Sequence, residues 1–148
     1  MTEPYPDILL AEDNPNDVEL TLEALAQHNL ANHVTVADDG VEAMEYLRRA
    51  GSYADRAPGL PAVLLLDIKM PRMDGLEVLR EIRRDPALKR LPVVILTSSR
   101  EEQDIVTSYD LGVNAYVVKP VDFQSFIEAV EHLGVFWALI NERPPIQD

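Results

Sequence analysis

Five short apolar runs, each followed by a segment in which apolar residues recur at helical spacing, constrain this chain more than any other feature. Residues 8–11 (ILLA), 34–37 (VTVA), 62–66 (AVLLL), 93–96 (VVIL) and 115–118 (AYVV) are brief, mostly β-branched or aliphatic, and bounded by polar residues or Pro, so they read as strands. The third and fourth are apolar at every position, as strands covered by helices on both faces must be. Single apolar stripes at helical spacing lie between and after them: Val18, Leu22 and Leu25; Val41, Met44 and Leu47; Leu76, Leu79 and Ile82; Ile105, Tyr109 and Leu111; Phe123, Phe126, Ile127, Val130, Leu133 and Trp137. Asn14 before Pro15 offers a cap with proline at the first helical position, and Asp122 can cap the last helix. Strand and helix alternating five times predict an α/β fold, a doubly wound (βα)5 domain with a five-stranded parallel sheet and right-handed crossovers.

The 148 residues fit one domain. A composition of 47% hydrophobic and 26% charged residues fits a soluble globular domain. The 26 acidic residues outnumber the 13 Lys and Arg, which argues against nucleic-acid binding, because phosphate contacts need clustered cations. The chain begins MTEPYPD, with no signal-peptide pattern, and holds no apolar run of about 18 residues. A cytoplasmic location without membrane contact is the expectation. The absence of cysteine excludes disulfides and thiolate chemistry. Acidity is concentrated early, with 12 acidic against 3 basic residues in 1–66, which fits a solvated surface as well as a cation site. Residues 50–61 (AGSYADRAPGLP) form the longest loop. The expected organisation is an extension at 1–6, a folded domain at 7–140 and a Pro-broken tail at 141–148 (NERPPIQD).

In such a sheet, ligands bind beyond the carboxyl ends of the strands. The residues that follow the five runs include Glu12 and Asp13, then Asp67, then Thr97 with Ser98 and Ser99, then Lys119 with Pro120. One acid at a strand end is ordinarily a cap or a solvated charge; the coincidence of all of them is the signal. Crowded carboxylates persist where a hard cation sits among them, and Mg2+ is typically held by one or two carboxylates together with phosphate oxygens. An aspartate beside such an ion is also a nucleophile that can form an aspartyl-phosphate. Phosphoryl transfer asks the protein for positioning and charge neutralisation, which Mg2+, Lys119 and the Thr97 hydroxyl can supply.

The blocks LLAEDN (9–14), LLLDIKMPRMDG (64–75), VVILTSS (93–99) and AYVVKP (115–120) resemble, in order and spacing, the receiver domain of two-component response regulators, whose fold is flavodoxin-like. The similarity covers roughly residues 7–132. EDNPND, GSYADRAP, RRDPALKRLPVVILTSS and a C-terminal extension containing FW also resemble the stand-alone regulators of bacteriophytochrome-type histidine kinases. The resemblance implies that Asp67 is the phosphoacceptor, taking its phosphoryl group from a sensor histidine kinase. Glu12 and Asp13 are then the acidic pair that recruits Mg2+, Asp13 as a direct ligand and Glu12 through water, with Asp67 and the backbone carbonyl of Lys69 as the other ligands. Thr97, Ser98 and Lys119 meet the phosphoryl group, and Thr97 and Tyr116 form the switch. The Lys119–Pro120 bond is cis, although only about 5–6% of X-Pro bonds are. Glu12 departs from the family's usual aspartate by one methylene. Lys69 and Ser99, each two residues past a site residue, stand where they can help or hinder an attacking water.

The signal is expected to leave through protein contacts, to a downstream target or a histidine phosphotransfer protein. Val135, Phe136 and Leu139 fall off the core stripe of the last helix and are the expected homodimer interface. Three rival readings fit the residues less well. A haloacid dehalogenase-like phosphatase needs a second acid where Lys69 stands. A nucleotide-binding module needs a glycine-rich phosphate loop, and none occurs. A phosphorylation-independent scaffold has no need of Asp13, Asp67, Thr97 and Lys119 together. The three histidines show no catalytic or metal-type spacing and read as surface or packing residues.

Overall fold

In the computed structural model, which describes residues 8–27, 30–113 and 115–134, all five apolar runs pair as parallel strands. They are β1 (Ile8–Ala11), β2 (Val34–Ala37), β3 (Val63–Asp67), β4 (Val93–Thr97) and β5 (Ala115–Val118), hydrogen-bonded in the order β2-β1-β3-β4-β5. The helices are α1 (Pro15–Ala26), α2 (Gly40–Arg48), α3 (Gly75–Arg84), α4 (Arg100–Ser108) and α5 (Phe123–Leu133). The expected doubly wound α/β fold is present. None of these helices is long and apolar enough to cross a membrane.

Alternation along the strands divides the core into two layers. Leu9, Ala11, Leu64, Leu66, Val93 and Ile95 pack with Met44 and Leu47 of α2, Val78, Leu79 and Ile82 of α3, and Val106 of α4. Ile8, Leu10, Val63, Leu65, Val94, Leu96 and Val117 pack on the other face with Leu25 of α1 and Phe126 and Val130 of α5. Strands β1, β3 and β4 are buried throughout, which explains their unbroken apolar sequence.

Local chemistry sets the helix starts. The Asn14 side chain accepts from the N–H groups of Asn16 and Asp17, with Pro15 in the first turn of α1, and Asp122 accepts from the Ser125 N–H, both as the sequence suggests. A reciprocal capping box of Asp74 and Glu77 opens α3.

Three expectations change. Asp67 and Thr97 are the last residues of their strands rather than the first residues after them, so the sheet itself positions them. On α4 the buried residues are Glu102 and Val106, whereas Ile105 and Tyr109 are 51% and 49% exposed. The two stripes share the same i, i+4 spacing, and the one containing Glu102 faces the sheet. Loop 50–61 holds a turn of 3-10 helix (Gly51–Tyr53) and is tied down by Arg56. The Arg56 guanidinium lies 4.2 Å from the Tyr46 ring centre and donates to the carbonyls of Tyr46, Ala57 and Gly59. Gly75, the first residue of α3, is required for space. A Cβ there would lie 2.3 Å from the Asp67 carbonyl oxygen, and the Gly75 N–H donates to the Ile68 carbonyl at 2.7 Å. Val135, Phe136, Trp137, Leu139, the extension at 1–6 and the tail at 141–148 lie outside the described residues.

Candidate functional site

Strand register builds the site. Ala11 pairs with Leu66, so Glu12 comes level with Asp67, and the Glu12 N–H continues the ladder by donating to the Ala37 carbonyl at 3.0 Å. Thr97 pairs with Val118, and the Lys119 N–H donates to the Thr97 carbonyl at 2.8 Å. By alternation Glu12, Asp67 and Lys119 fall on the sheet face that carries α1 and α5, whereas Thr97 and Tyr116 fall on the face that carries α4.

The first three therefore meet. Lys119 Nζ lies 3.0 Å from Asp67 Oδ1, 3.1 Å from Glu12 Oε1 and 3.1 Å from Asp17 Oδ2. Asp67 Oδ1 also accepts from the Ile68 N–H at 2.9 Å, so neither contact occupies Oδ2. Glu12 is 1% exposed and Asp67 5%, while Asp13 is exposed at the rim. Carboxylate oxygens of Glu12, Asp13 and Asp67 all lie within 4.8 Å of one another. Oxygen donors this close, one of them open to solvent, suit a hard divalent cation that keeps some of its water.

The electrostatics reflect this crowding. Burial, and next the neighbouring Asp67 charge, push the Glu12 carboxyl up from 4.5 to about 7, against the opposing pull of the Asn14 N–H and Lys119. Burial by itself would lower the Lys119 ammonium. Its hydrogen bonds and attraction to Asp67, Asp17 and Glu12 more than offset that and hold it above the ordinary lysine range.

Thr97 is fully buried, and among the described residues its Oγ1 has no hydrogen-bond partner. The neighbouring Ser98 is exposed, and its N–H donates to Glu102 Oε1 at 2.7 Å. Lys69 is exposed, with Nζ 3.5 Å from Glu102 Oε2. Tyr116 is half-buried and its hydroxyl is within 3.0 Å of Thr107 Oγ1 and 3.3 Å of the Val113 carbonyl. Lys119–Pro120 is cis, as expected. The structure thus brings Glu12, Asp13, Asp67 and Lys119 together and sets Thr97, Ser98 and Tyr116 on the adjoining α4 side.

Two residues went unread in the sequence. Asp17, in the first turn of α1, is a partner of Lys119; its signal was an acid one turn beyond the Glu12–Asp13 pair. Glu102 was legible as the fourth residue of a Ser-x-x-Glu capping pattern starting at Ser99. Outside the cluster, Arg72 forms a two-pronged pair with Asp39, at 2.7 and 3.1 Å, joining the loops after β2 and β3.

A five-stranded doubly wound sheet with a carboxylate and ammonium cluster at its carboxyl edge defines a receiver-like class of α/β domain. Residues 8–131 match the response regulator receiver domain family, and the chain belongs to it. A curated relative, response regulator Rcp1 of Synechocystis sp., is 39% identical over 130 residues, covering 88% of this chain and 87% of that protein. Among solved structures, the bacteriophytochrome response regulator AtBRR is 59% identical, with a TM-score of 0.88 over 95% of this chain and 100% of that one. The phosphorylated cyanobacterial phytochrome response regulator RcpA is 44% identical, with a TM-score of 0.71 over 90% and 94%. The Mn2+-bound form of response regulator Rcp1 is 36% identical, with a TM-score of 0.69 over 94% and 99%.

Proposed function

We propose that this response regulator accepts a phosphoryl group on Asp67 from the phosphohistidine of a sensor histidine kinase. The observation that carries the proposal is the buried Asp67 carboxylate, held at 3.0 Å by Lys119 and flanked within 4.8 Å by Glu12 and Asp13. Lys119 and the Ile68 N–H fix Oδ1, which leaves Oδ2 to attack phosphorus in line as the P–N bond to the kinase imidazole breaks. Electrons of that bond return to the imidazole ring nitrogen. Glu12, Asp13, Asp67 and the Lys69 carbonyl are the residues that would hold Mg2+. When bound, the ion neutralises charge on the phosphoryl oxygens. Lys119 pairs with the acyl phosphate, and the Thr97 hydroxyl reorients toward it as Tyr116 turns inward. Hydrolysis of the acyl phosphate resets the protein.

A bacteriophytochrome is the upstream kinase in this reading, which the likeness to AtBRR and RcpA supports. Onward signalling runs through altered association, with a target, a histidine phosphotransfer protein or a second copy of the chain. Intact mass after incubation with Mg2+ and acetyl phosphate tests the chemistry. A phosphoryl-sized increment that disappears in Asp67→Asn and under chelation is expected. An unchanged mass, together with no beryllofluoride complex, would refute it in favour of a phosphate-independent scaffold. Phosphotransfer from a different sensor kinase but not from a bacteriophytochrome would withdraw the phytochrome assignment alone.

A further inference from the structure

We propose that Glu102 is a positioning residue, a latch that holds the loop after β4 in the conformation in which the Thr97 hydroxyl has no partner, and so sets how readily the site takes up a phosphoryl group. The inference rests on the phosphoacceptor reading of Asp67.

A fully buried hydroxyl without a hydrogen bond costs free energy, so something must hold it there. Thr97 emerges on the α4 face of the sheet and Asp67 on the opposite face, so turning the Thr97 hydroxyl toward a group on Asp67 moves the peptide joining Thr97 to Ser98. That peptide's N–H donates to Glu102 Oε1 at 2.7 Å, a short charge-assisted bond. The Glu102 N–H in turn donates to Ser99 Oγ at 3.2 Å, which fixes the helix end from which the carboxylate reaches back. Its other oxygen, Oε2, lies 3.5 Å from Nζ of Lys69, on the loop that follows Asp67. A single carboxylate, on a residue only 9% exposed, thus grips both loops that flank the phosphoacceptor.

The reach is one residue longer than an ordinary capping box, in which the acid at this position accepts from the capping residue's own N–H. Helix α2 has the same geometry, with Glu42 accepting from the Asp38 N–H at 2.8 Å and from the Tyr53 hydroxyl at 2.6 Å. The α2 loop carries neither Thr97 nor Lys69. This capping contact is common to both helices, and what distinguishes Glu102 is the loop it holds. Ligand affinity for a two-state site falls in proportion to the fraction in the competent state, so releasing the latch tightens binding without adding a contact.

The test is titration of the full chain with beryllofluoride in saturating Mg2+, followed by amide resonances, beside hydrogen exchange at the Ser98 amide without ligand. Glu102→Ala is expected to tighten apparent affinity about tenfold, equivalent to about 1.4 kcal/mol, and to speed exchange at Ser98. Glu102→Gln keeps an acceptor for Ser98 but loses the charge, so it is expected to tighten binding by a smaller factor, and it carries the test if the alanine variant does not fold. Glu42→Gln serves as the matched cap on α2 and should leave affinity unchanged. Unchanged or weaker binding by folded Glu102 variants overturns the latch, as does equal tightening by Glu42→Gln. A parent that binds no beryllofluoride refutes the phosphoacceptor reading and the latch with it, whereas a parent that binds while its Glu102 variants bind no better refutes the latch alone.

Discussion

Replacing Glu12 by Gln tests whether the acidic pocket is held under electrostatic stress in the absence of a cation. Burial and Asp67 raise the Glu12 carboxyl from 4.5 to about 7 in the folded protein. Between these values the folded chain holds a proton that the unfolded chain has released, so stability falls as pH rises through the window. The contribution is fully present below 4.5 and lost above about 7. Each pKa unit corresponds to about 1.4 kcal/mol, so ionising Glu12 costs the folded state at most about 3 kcal/mol above pH 7. Gln reproduces the protonated form and keeps an oxygen for the Asn14 N–H, which Glu12 Oε2 accepts at 3.2 Å. In chelated buffer at pH 8, Glu12→Gln should therefore be more stable than the parent, by up to about 3 kcal/mol. That corresponds to roughly 6–12 °C in Tm at about 2–4 °C per kcal/mol for a domain of this size. The gain should shrink toward zero near pH 4.5. Mg2+ should close most of this gap at a hundredfold excess over Kd and reverse the order at a thousandfold excess, where the parent gains about 4.1 kcal/mol, because the variant lacks one carboxylate of the cluster. Urea denaturation from pH 4.5 to 8.5, with and without Mg2+, measures each quantity. A variant less stable than the parent at pH 8 in chelator, or a difference that does not vary with pH, would refute the argument.

Gly75→Ala should destabilise by about 1–3 kcal/mol, the usual cost of overpacking, because its Cβ would sit 2.3 Å from the Asp67 carbonyl oxygen. Phosphorylation on Asp67 should slow in the same variant, and an unchanged midpoint in urea would contradict the steric reading. Lys119→Met leaves the Asp67, Glu12 and Asp17 carboxylates without their shared cation, so stability at pH 8 should drop by roughly 3 kcal/mol or more. Addition of Mg2+ should recover part of that loss, and thermal melts with and without the ion check both. Phe136→Glu should convert a dimer to a monomer in sedimentation, and a parent and variant that sediment alike would count against association through Val135, Phe136 and Leu139.

Much of the fold is legible in the sequence, because alternating strand and helix patterns admit few packed arrangements. The bounds of β1, β2 and β5 agree with the apolar runs residue for residue, and the caps at Asn14 and Asp122 act as their residue types suggest. Helix α4 departs from its apolar pattern for a definite reason. Ile105–Tyr109 and Glu102–Val106 have equal spacing, and hydrophobicity favours the first pair. The acid turns inward all the same, because the Ser98 N–H, 2.7 Å away, and Lys69 satisfy its charge, which they hold below the ordinary glutamate range against the effect of burial. Tyr109 remains outside, its ring 4.8 Å from the Arg80 guanidinium.

The sequence by itself determined the fold class, the edge of the sheet on which the acidic and basic side chains gather, and the residues available there, since strand ends follow from local patterning and parallel connectivity. Only the tertiary structure decided which of those residues touch. Register brings Glu12 level with Asp67 and Lys119 within 3.1 Å of three carboxylates, 102 and 107 residues distant in sequence for Asp17 and Glu12. Alternation places Thr97 on the other face, where its hydroxyl is unpartnered among the described residues and Glu102 holds its neighbour. Contacts of this kind depend on distance in space and on burial, which no local window of sequence encodes.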